Sequence, residues 1–196
     1  ARAIYALSRP PGHHAFADLA GGFCFLNNAA IAAERLRAAG LRPAVLDFDV
    51  HHGNGTQGIF EDRADVLTVS IHADPLRFYP FFWGHAHERG TGAGRGCNLN
   101  ICLPRGTGDD DYLVALDTAL ARIRAFGAGA IVVALGLDAH VNDPFKGLAV
   151  TTPGFARIGA AIARTGLPLA IVQEGGYISD DLGANLASFL SGVQEA

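Results

Sequence analysis

Acidic side chains and imidazoles crowd a short stretch of this chain, directly after an apolar run. Residues 43–46 (PAVL) lead into Asp47, Asp49 and His51, and glycines follow at positions 53 and 55. The apolar residues predict a buried strand, and the three polar side chains would share one face of it because side chains alternate with a period of two. Buried charges are costly unless they are paired or bound to a metal. We therefore expect a shared cation or a polar network here; the alternative is a solvated strand end.

Further polar groups share one position, the carboxyl end of a predicted strand: Ser70 and His72, Asp138, and residues 174–177 (EGGY). Ligands of parallel sheets bind beyond the carboxyl ends of the strands, so these groups would meet at one edge. Asp49, His51 and Asp138 could supply three nitrogen and oxygen ligands and leave a fourth position for water, as catalytic zinc requires. Asp138 alone would be unremarkable, because an isolated Asp often caps a helix.

Tandem imidazoles occur upstream, in residues 9–14 (RPPGHH). The prolines restrict the backbone and the glycine permits a tight turn, so His13 and His14 could be held in a set orientation. A histidine on a loop is more often a packed or surface residue. Beside a carboxylate-rich metal site, however, His13 and His14 become candidates for general base and general acid.

The elements that would position these groups alternate between strand-like and helix-like segments. A short glycine-rich turn after residue 49 and a long loop at 74–96 interrupt the alternation. The sequence predicts helices at 27–39, 109–126, 152–165 and 180–190, and strands at 43–49, 66–71, 98–103, 130–135 and 167–172. Such alternation predicts an α/β fold with a mostly parallel sheet flanked by helices on both faces.

Composition excludes several functional classes. The 196 residues are 49% hydrophobic and 17% charged, with a net charge of -4, so no basic surface predicts a nucleic-acid partner. No apolar run is long enough to span a bilayer, so we expect no membrane partner. The three cysteines have no CxxC spacing, which favours a reducing, cytoplasmic location over a disulfide framework.

Six segments occur in the order seen in the histone deacetylase superfamily: RPPGHH (9–14), GGFCFLNNAAIAA (21–33), LDFDVHHGNGTQ (46–57), VSIH (69–72), ALGLDAHVNDP (134–144) and EGGY (174–177). On these motifs the chain resembles that superfamily over essentially its whole length. Residues 72–104, with HADP, FYPFFWG and GTGAGRG, are most similar to the bacterial acetylpolyamine amidohydrolases. Family members extend well upstream. We therefore interpret 1–196, which begins with Ala and contains no Met, as a single deacetylase domain truncated at its N-terminus.

The resemblance implies a three-layer arginase/deacetylase-like fold with its site at the C-terminal strand ends. It also implies a Zn²⁺ site, with Fe²⁺ as the alternative metal, held by Asp49, His51 and Asp138. His14 would be the general base and then the acid that protonates the leaving amine, and His13, paired with Asp47, would stabilise developing charge. Asn54 stands where some family members carry Asp, which should make His14 less basic.

The resemblance assigns the remaining site residues as well. Tyr177 would donate its phenol proton to the substrate carbonyl, and it has room to swing in after two glycines; the alternative is a packed loop aromatic. Phe23 and Tyr79 would form walls of the acyl-amine channel; the alternative for both is a core role. The other channel positions are Gly22, Gly176 and Phe145. A structural K⁺ would be held by Asp47, Asp49, His51, Ser70 and Ile71.

These expectations lead to a zinc-dependent amidohydrolase that releases acetate from an N-acetylated amine. The substrate would be an acetylpolyamine or otherwise an acetyl-lysine side chain, and the enzyme could form a homodimer, as polyamine deacetylases do. A binuclear manganese ureohydrolase would need more bridging carboxylates and histidines than the chain offers. The alternative from another class is a non-catalytic fragment of the same fold that binds metal and acyl-amine without turnover.

Overall fold

A parallel sheet of six strands lies at the centre of the structure, a computed structural model that describes residues 2–196. The elements follow one another as β1 Ala3–Ala6, α1 Asn28–Ala38, β2 Pro43–Asp47, α2 Asn54–Phe60, β3 Leu67–Ala73, β4 Asn98–Leu103, α3 Asp109–Phe126, β5 Ala130–Leu135, α4 Thr152–Ala163, β6 Leu169–Gln173 and α5 Leu182–Glu195. The strand order is β1-β6-β5-β2-β3-β4, and every described pairing is parallel. The predicted α/β class and sheet type are confirmed.

Helices cover both faces of the sheet. Along β2 the side chains alternate, so that Leu46 joins the larger core under α3, α4 and α5 while Val45 joins the smaller core under α1 and α2. Both faces of the sheet are therefore shielded from water, which explains why β2, β3 and β5 are buried at every position. The three-layer prediction is confirmed, and strands β2 and β5, which carry the site, lie at the middle of the sheet.

Local sequence explains where the predicted helices begin and end. Asn27 accepts a hydrogen bond from the Ala30 N–H at the start of α1, and Thr151 accepts one from the Gly154 N–H at the start of α4. Helix α3 begins with three acidic residues, whose negative charges stabilise the positive N-terminal end of the helix dipole. The helix stops at Gly127, which has a left-handed conformation. The bounds of α3, β4 and β5 agree with the prediction.

The elements of the structure differ from the prediction in three main respects. The strand predicted at 43–49 ends at Asp47, because the Asp47 Oδ1 accepts the Asp49 N–H and turns the chain. Helix α2 stands where only a glycine-rich turn was expected. Its glycines lower helix propensity, but at Gly55 a Cβ would collide with the Ala15 backbone, so close packing requires them. Strand β1 was missed because it has only four residues, and pairing with β6 stabilises it.

Candidate functional site

Asp49, His51 and Asp138 meet at the carboxyl edge of the sheet. All three are buried, and one ligand atom from each lies within 4.8 Å of the others. The Nδ1 of His51 is 3.0 Å from Asp49 Oδ1 and 3.2 Å from Asp138 Oδ2. Asp49 and His51 were expected to share one face of a strand. They lie instead in the irregular segment that follows β2. Asp138 comes from the loop after β5, the strand that pairs with β2.

Backbone N–H groups hold the two carboxylates in place. Asp49 Oδ2 accepts from the Gly175 N–H at 2.8 Å, and Asp138 Oδ1 accepts from the Val50 N–H at 3.0 Å. The second oxygen of Asp138 is buried without a hydrogen-bond partner. A buried carboxylate oxygen left unpaired is costly. Two carboxylates and an imidazole with one unused oxygen suit Zn²⁺ or Fe²⁺, so the residues present fit the metal that the family resemblance implies.

The charges of the three residues support the same interpretation. Burial would lower the pKa of His51, but its contacts with Asp138 and Asp49 raise that pKa to about 10. Burial and the charge of Asp49 raise the pKa of Asp138 to about 6. The pocket therefore favours positive charge, which it holds either as a proton or as a cation.

The tandem imidazoles lie beside this cluster. The Nδ1 of His13 is 2.9 Å from Asp47 Oδ2, and its Nε2 is 3.8 Å from Asp49 Oδ1. The Nδ1 of His14 is 2.6 Å from the Asn54 Oδ1, so its Nε2 is the ring nitrogen left for other contacts. The two rings are 4.0 Å apart.

The two histidines differ in basicity. Burial alone would lower the pKa of His13, but the charges of Asp47 and Asp49 outweigh it and raise that pKa well above its ordinary value. Burial and the nearby charge of His13 lower the pKa of His14 well below its ordinary value. His13 is thus the cationic ring and His14 the neutral one, a pairing in which only the second can accept a proton.

Aromatic side chains surround a cavity above these groups. The cavity measures about 410 Å³ and is lined by His14, Gly22, Phe23, His51, Tyr79, Phe145 and Tyr177. Phe23, Tyr79 and Phe145 are 75%, 38% and 46% exposed, so they are wall residues and not core residues. The ring of Phe145 contacts the rings of both His51 and Tyr177, at centroid distances of 5.8 and 4.7 Å. Burial and the charges of Asp138 and Asp49 raise the pKa of Tyr177, which therefore stays protonated.

The backbone conformation of the wall is unusual at Gly22 and Phe23. Gly22 has a φ of +53°, and a Cβ there would collide with the His14 ring. Phe23 has a φ of 65°, a left-handed conformation that costs a bulky residue free energy. Glycine is therefore required at 22, whereas the strain at 23 is the cost of turning an aromatic ring toward the cavity.

Gly176, which was expected to line the channel, lines a neighbouring cavity of about 290 Å³ that shares Phe23 and Tyr177 with the first. Its φ is +133°, and a Cβ there would lie 2.9 Å from the Leu182 side chain and 3.2 Å from the Leu137 Cβ. A larger cavity of about 550 Å³ lies far from the site, between β1 and the ends of α4 and α5. Its walls are mainly apolar, so it offers no comparable chemistry.

The residues expected to hold a monovalent cation lie below the cluster. Asp47 on β2 is in register with Ser70 on β3, and Ile71 follows it. Both carboxylate oxygens of Asp47 already have partners, the Asp49 N–H and the His13 ring. The hydroxyl of Ser70 is 2.8 Å from the Nδ1 of His72.

Glu174 was expected at the site edge as part of the EGGY segment, but the sequence reasoning gave it no role. Its buried carboxylate contacts the backbone of Gly12 and His13, and burial raises its pKa to about 7. An acid two residues after the apolar run 169–172 was the available signal. This signal could not be interpreted without the topology, which brings the loop around residue 12 to the end of β6.

The chain is similar to known proteins. The family model for the histone deacetylase domain matches residues 1–193. The chain is 53% identical over 192 residues to the acetylpolyamine amidohydrolase of Burkholderia pseudomallei, a match that covers 98% of this chain and 56% of that protein. It is 49% identical over 193 residues to the acetylpolyamine amidohydrolase of Mycoplana ramosa, with 98% and 57% covered.

A solved structure matches as well. The crystal structure of the acetylpolyamine aminohydrolase from Burkholderia pseudomallei superimposes with a TM-score of 0.95, at 53% identity, over 98% of this chain and 56% of that one. The chain thus spans little more than half the length of these relatives. Among residues 2–196, no helix combines the length and the apolar character needed to cross a membrane.

Proposed function

We propose that the chain, which belongs to the histone deacetylase domain family, carries the catalytic centre of a zinc-dependent deacetylase that hydrolyses N-acetylated amines. One observation carries the proposal: a buried Asp49, His51 and Asp138 cluster lies at the floor of an aromatic-walled cavity. Because the chain covers 56% of its relative from Burkholderia pseudomallei, the activity of the whole protein is part of the proposal.

The substrate we propose is an acetylated polyamine, with the acetyl-lysine side chain as the other candidate. Relatives at 53% and 49% identity are acetylpolyamine amidohydrolases. The cavity walls, Phe23, Tyr79 and Phe145, are rings that suit an aliphatic chain and can contact a cationic amine through their π faces.

Asp49, His51 and Asp138 would hold the metal. Zn²⁺ bound there would lower the pKa of a water molecule and polarise a carbonyl. The same residues would hold Fe²⁺, since the donor set suits either ion. For the structural K⁺ we propose Asp47, Asp49, His51, Ser70 and Ile71; the register of Asp47 with Ser70 supports this assignment.

His14 would move the proton. Its Nδ1 is engaged by Asn54, so the Nε2 can take a proton from the attacking water and return it to the leaving amine. The lowered pKa of His14 keeps the ring neutral and ready to accept. His13, held cationic by Asp47, would stabilise the negative charge that develops as water adds to the amide.

Tyr177 would complete the site. Its hydroxyl is protonated, and its ring packs on Phe145 at the cavity wall. A fixed O–H donor directed at the developing oxyanion contributes about 3 kcal/mol to catalysis. We also propose a reducing, cytoplasmic location, which the free thiols of Cys24, Cys97 and Cys102 support; the homodimer stays a prediction.

The decisive experiment offers the zinc-loaded chain acetylputrescine and an acetyl-lysine peptide and measures released acetate. We expect turnover of acetylputrescine, with kcat about 100-fold lower in Tyr177→Phe. The matched control is Tyr5→Phe, which removes a hydroxyl bonded to Gln173 outside the site and should keep normal turnover. Binding of acetylputrescine without acetate release by the unmodified chain would instead favour the non-catalytic acyl-amine module.

A further inference from the structure

Glu174 holds the loop that carries the tandem histidines. Its side chain is 5% exposed, and a single oxygen, Oε2, accepts the Gly12 N–H at 2.6 Å and the His13 N–H at 3.0 Å. The other oxygen, Oε1, is buried without a partner. Two consecutive backbone donors that converge on one carboxylate oxygen fix the orientation of the peptide between them.

Residues 174 and 175 also contact the cluster of Asp49, His51 and Asp138. The Glu174 N–H donates to the Leu135 carbonyl at 2.8 Å, which anchors it to β5, and the next N–H, of Gly175, donates to Asp49. Residues 174 and 175 therefore connect the His13 backbone on one side with a metal-binding carboxylate on the other. A shift of this segment would change the distance between imidazole and cluster.

The opposite side of the histidine loop is equally constrained. A Cβ on Gly12 would come within 2.5 Å of the Asn28 N and 2.7 Å of the Leu26 carbonyl oxygen, so the loop lies directly against the start of α1. The loop is thus packed between the N-terminus of α1 and Glu174. Without the carboxylate, two N–H groups would be left buried and unpaired.

We propose that Glu174 is a positioning residue: by accepting the Gly12 and His13 N–H groups it sets the placement of the His13 and His14 rings relative to Asp49. As far as it concerns turnover, this inference rests on the function proposed above. It has a second consequence that does not depend on turnover, because the Gly12 and His13 amide protons must be protected from exchange with water.

Two substitutions separate the hydrogen bonds from the charge. In Glu174→Gln the amide oxygen can still accept both N–H groups, and the NH₂ group replaces the oxygen that has no partner. In Glu174→Ala the acceptor of both N–H groups is lost. If positioning is the role, the Gln variant should behave like the unmodified chain and the Ala variant should not.

The first measurement is amide hydrogen exchange by NMR on the full chain, without substrate. We expect slow exchange at Gly12 and His13 in the unmodified chain and in Glu174→Gln, and exchange at least about tenfold faster at both positions in Glu174→Ala. The control is Glu88→Ala, which removes another multiply bonded carboxylate, the acceptor of Gln57 and Gly84. It should leave Gly12 and His13 protected. Fast exchange at these positions in the unmodified chain would overturn the proposal.

The second measurement is steady-state hydrolysis of acetylputrescine by the zinc-loaded variants. We expect kcat within about threefold of the unmodified chain for Glu174→Gln, and about 100-fold lower for Glu174→Ala, with KM changed less than about twofold in both. An equal loss in the Gln and Ala variants would contradict positioning by hydrogen bonds. If the unmodified chain has no turnover, the proposed function fails, while the exchange measurement still decides the role of Glu174. Should Glu174→Ala not fold, protection and kcat in Glu174→Gln decide it.

Discussion

At the level of single side chains, the Oδ2 of Asp138, which is buried without a hydrogen-bond partner, supports the proposed metal site. In a closed network each buried acceptor would have a donor, as Asp49 has in Gly175 and His51. Asp138 has one oxygen satisfied by Val50 and the other unused beside His51. We therefore propose that oxygen as the metal-binding atom of Asp138.

Asp138→Asn tests this assignment. The amide can keep the Val50 hydrogen bond but loses the charge, so we expect Zn²⁺ affinity to fall by more than about 100-fold, the upper end of the loss seen when only an outer partner of a ligand is changed. Competition with a chromophoric chelator measures it. Asp109→Asn is the control, because Asp109 contacts Thr151 outside the site. Equal affinities in the two variants would remove Asp138 from the metal site.

The raised pKa of Glu174 predicts a pH-dependent stability difference. Burial and the charge of Asp47 raise this pKa from 4.5 to about 7, against the opposing effect of His13 and the two N–H groups. The stabilising contribution is present below pH 4.5 and is lost as the pH rises to 7, because the unfolded chain ionises first. The loss is about 3 kcal/mol.

We therefore expect Glu174→Gln to gain stability relative to the unmodified chain between pH 4.5 and 7. Urea unfolding of both proteins in the presence of a chelator measures the difference. His13 and Asp47 also face this carboxylate, but they are present in both proteins and their titration largely cancels. A difference in free energy of unfolding that does not change with pH would show that the group is not buried as an acid.

Residue types and spacing identified most of the candidate site residues but not the hydrogen bonds between them. Asp49 and His51 stood out because charged groups follow an apolar strand, and His13 and His14 because they are adjacent. The partner of the Gly12 and His13 N–H groups could not be predicted, since Glu174 is more than 160 residues away and only the sheet order brings it close.

At the level of elements, the site depends on where strands stop. Strand β2 ends at Asp47, and the irregular segment that follows directs Asp49 and His51 inward, while the loops after β5 and β6 deliver Asp138 and Gly175. Period-two alternation predicted that Asp49 and His51 would share a strand face, whereas the structure brings them together in an irregular segment. The turn made by the Asp47 side chain is a local hydrogen bond, and alternation of apolar residues carries no information about it.

Gly175→Ala should disrupt this arrangement. A Cβ at position 175 would collide with Oδ2 of both Asp49 and Asp138, so we expect loss of Zn²⁺ binding and lower stability. The matched control is Gly183→Ala in α5, where a Cβ meets nothing and should be neutral or stabilise by up to about 1 kcal/mol. Calorimetry with and without Zn²⁺ measures both. Unchanged binding in Gly175→Ala would mean that the segment can move aside.

Long periodic or apolar segments were predicted well, and short or glycine-rich ones were not. The bounds of α3 and β5 followed from the sequence because an acidic start, a glycine stop and a β-branched run each act locally. Helix α2 and strand β1 exist because of tertiary contacts, with Ala15 and β6 respectively. Those contacts are invisible in a window of a few residues.

At the level of the whole molecule, the cluster of Asp49, His51 and Asp138 joins segments from distant parts of the chain. Asp49 and Asp138 follow β2 and β5, neighbours at the centre of the sheet. A ligand that binds both must stabilise the folded chain over the unfolded one, because the unfolded chain does not hold the two groups together.

Zn²⁺ should therefore raise the melting temperature. At a free concentration 100 times the Kd, the added stability is about 2.7 kcal/mol, which corresponds to about 5–10 °C for a chain of this length. Scanning calorimetry at increasing Zn²⁺ measures it, and Asp138→Asn should show a much smaller shift. The same shift in both proteins would indicate binding elsewhere, for example at the exposed imidazole of His87.

The left-handed backbone at Phe23 has a consequence for evolution and engineering. The entrance to the cavity is a place where thermostability and ligand recognition oppose each other, because Asn tolerates that φ better than Phe but offers no ring. Selection for heat resistance alone should enrich Asn at 23 and yield robust proteins with weakened binding of the proposed acetylated amine substrate. Selection for capture should restore the aromatic residue and give up part of the gain.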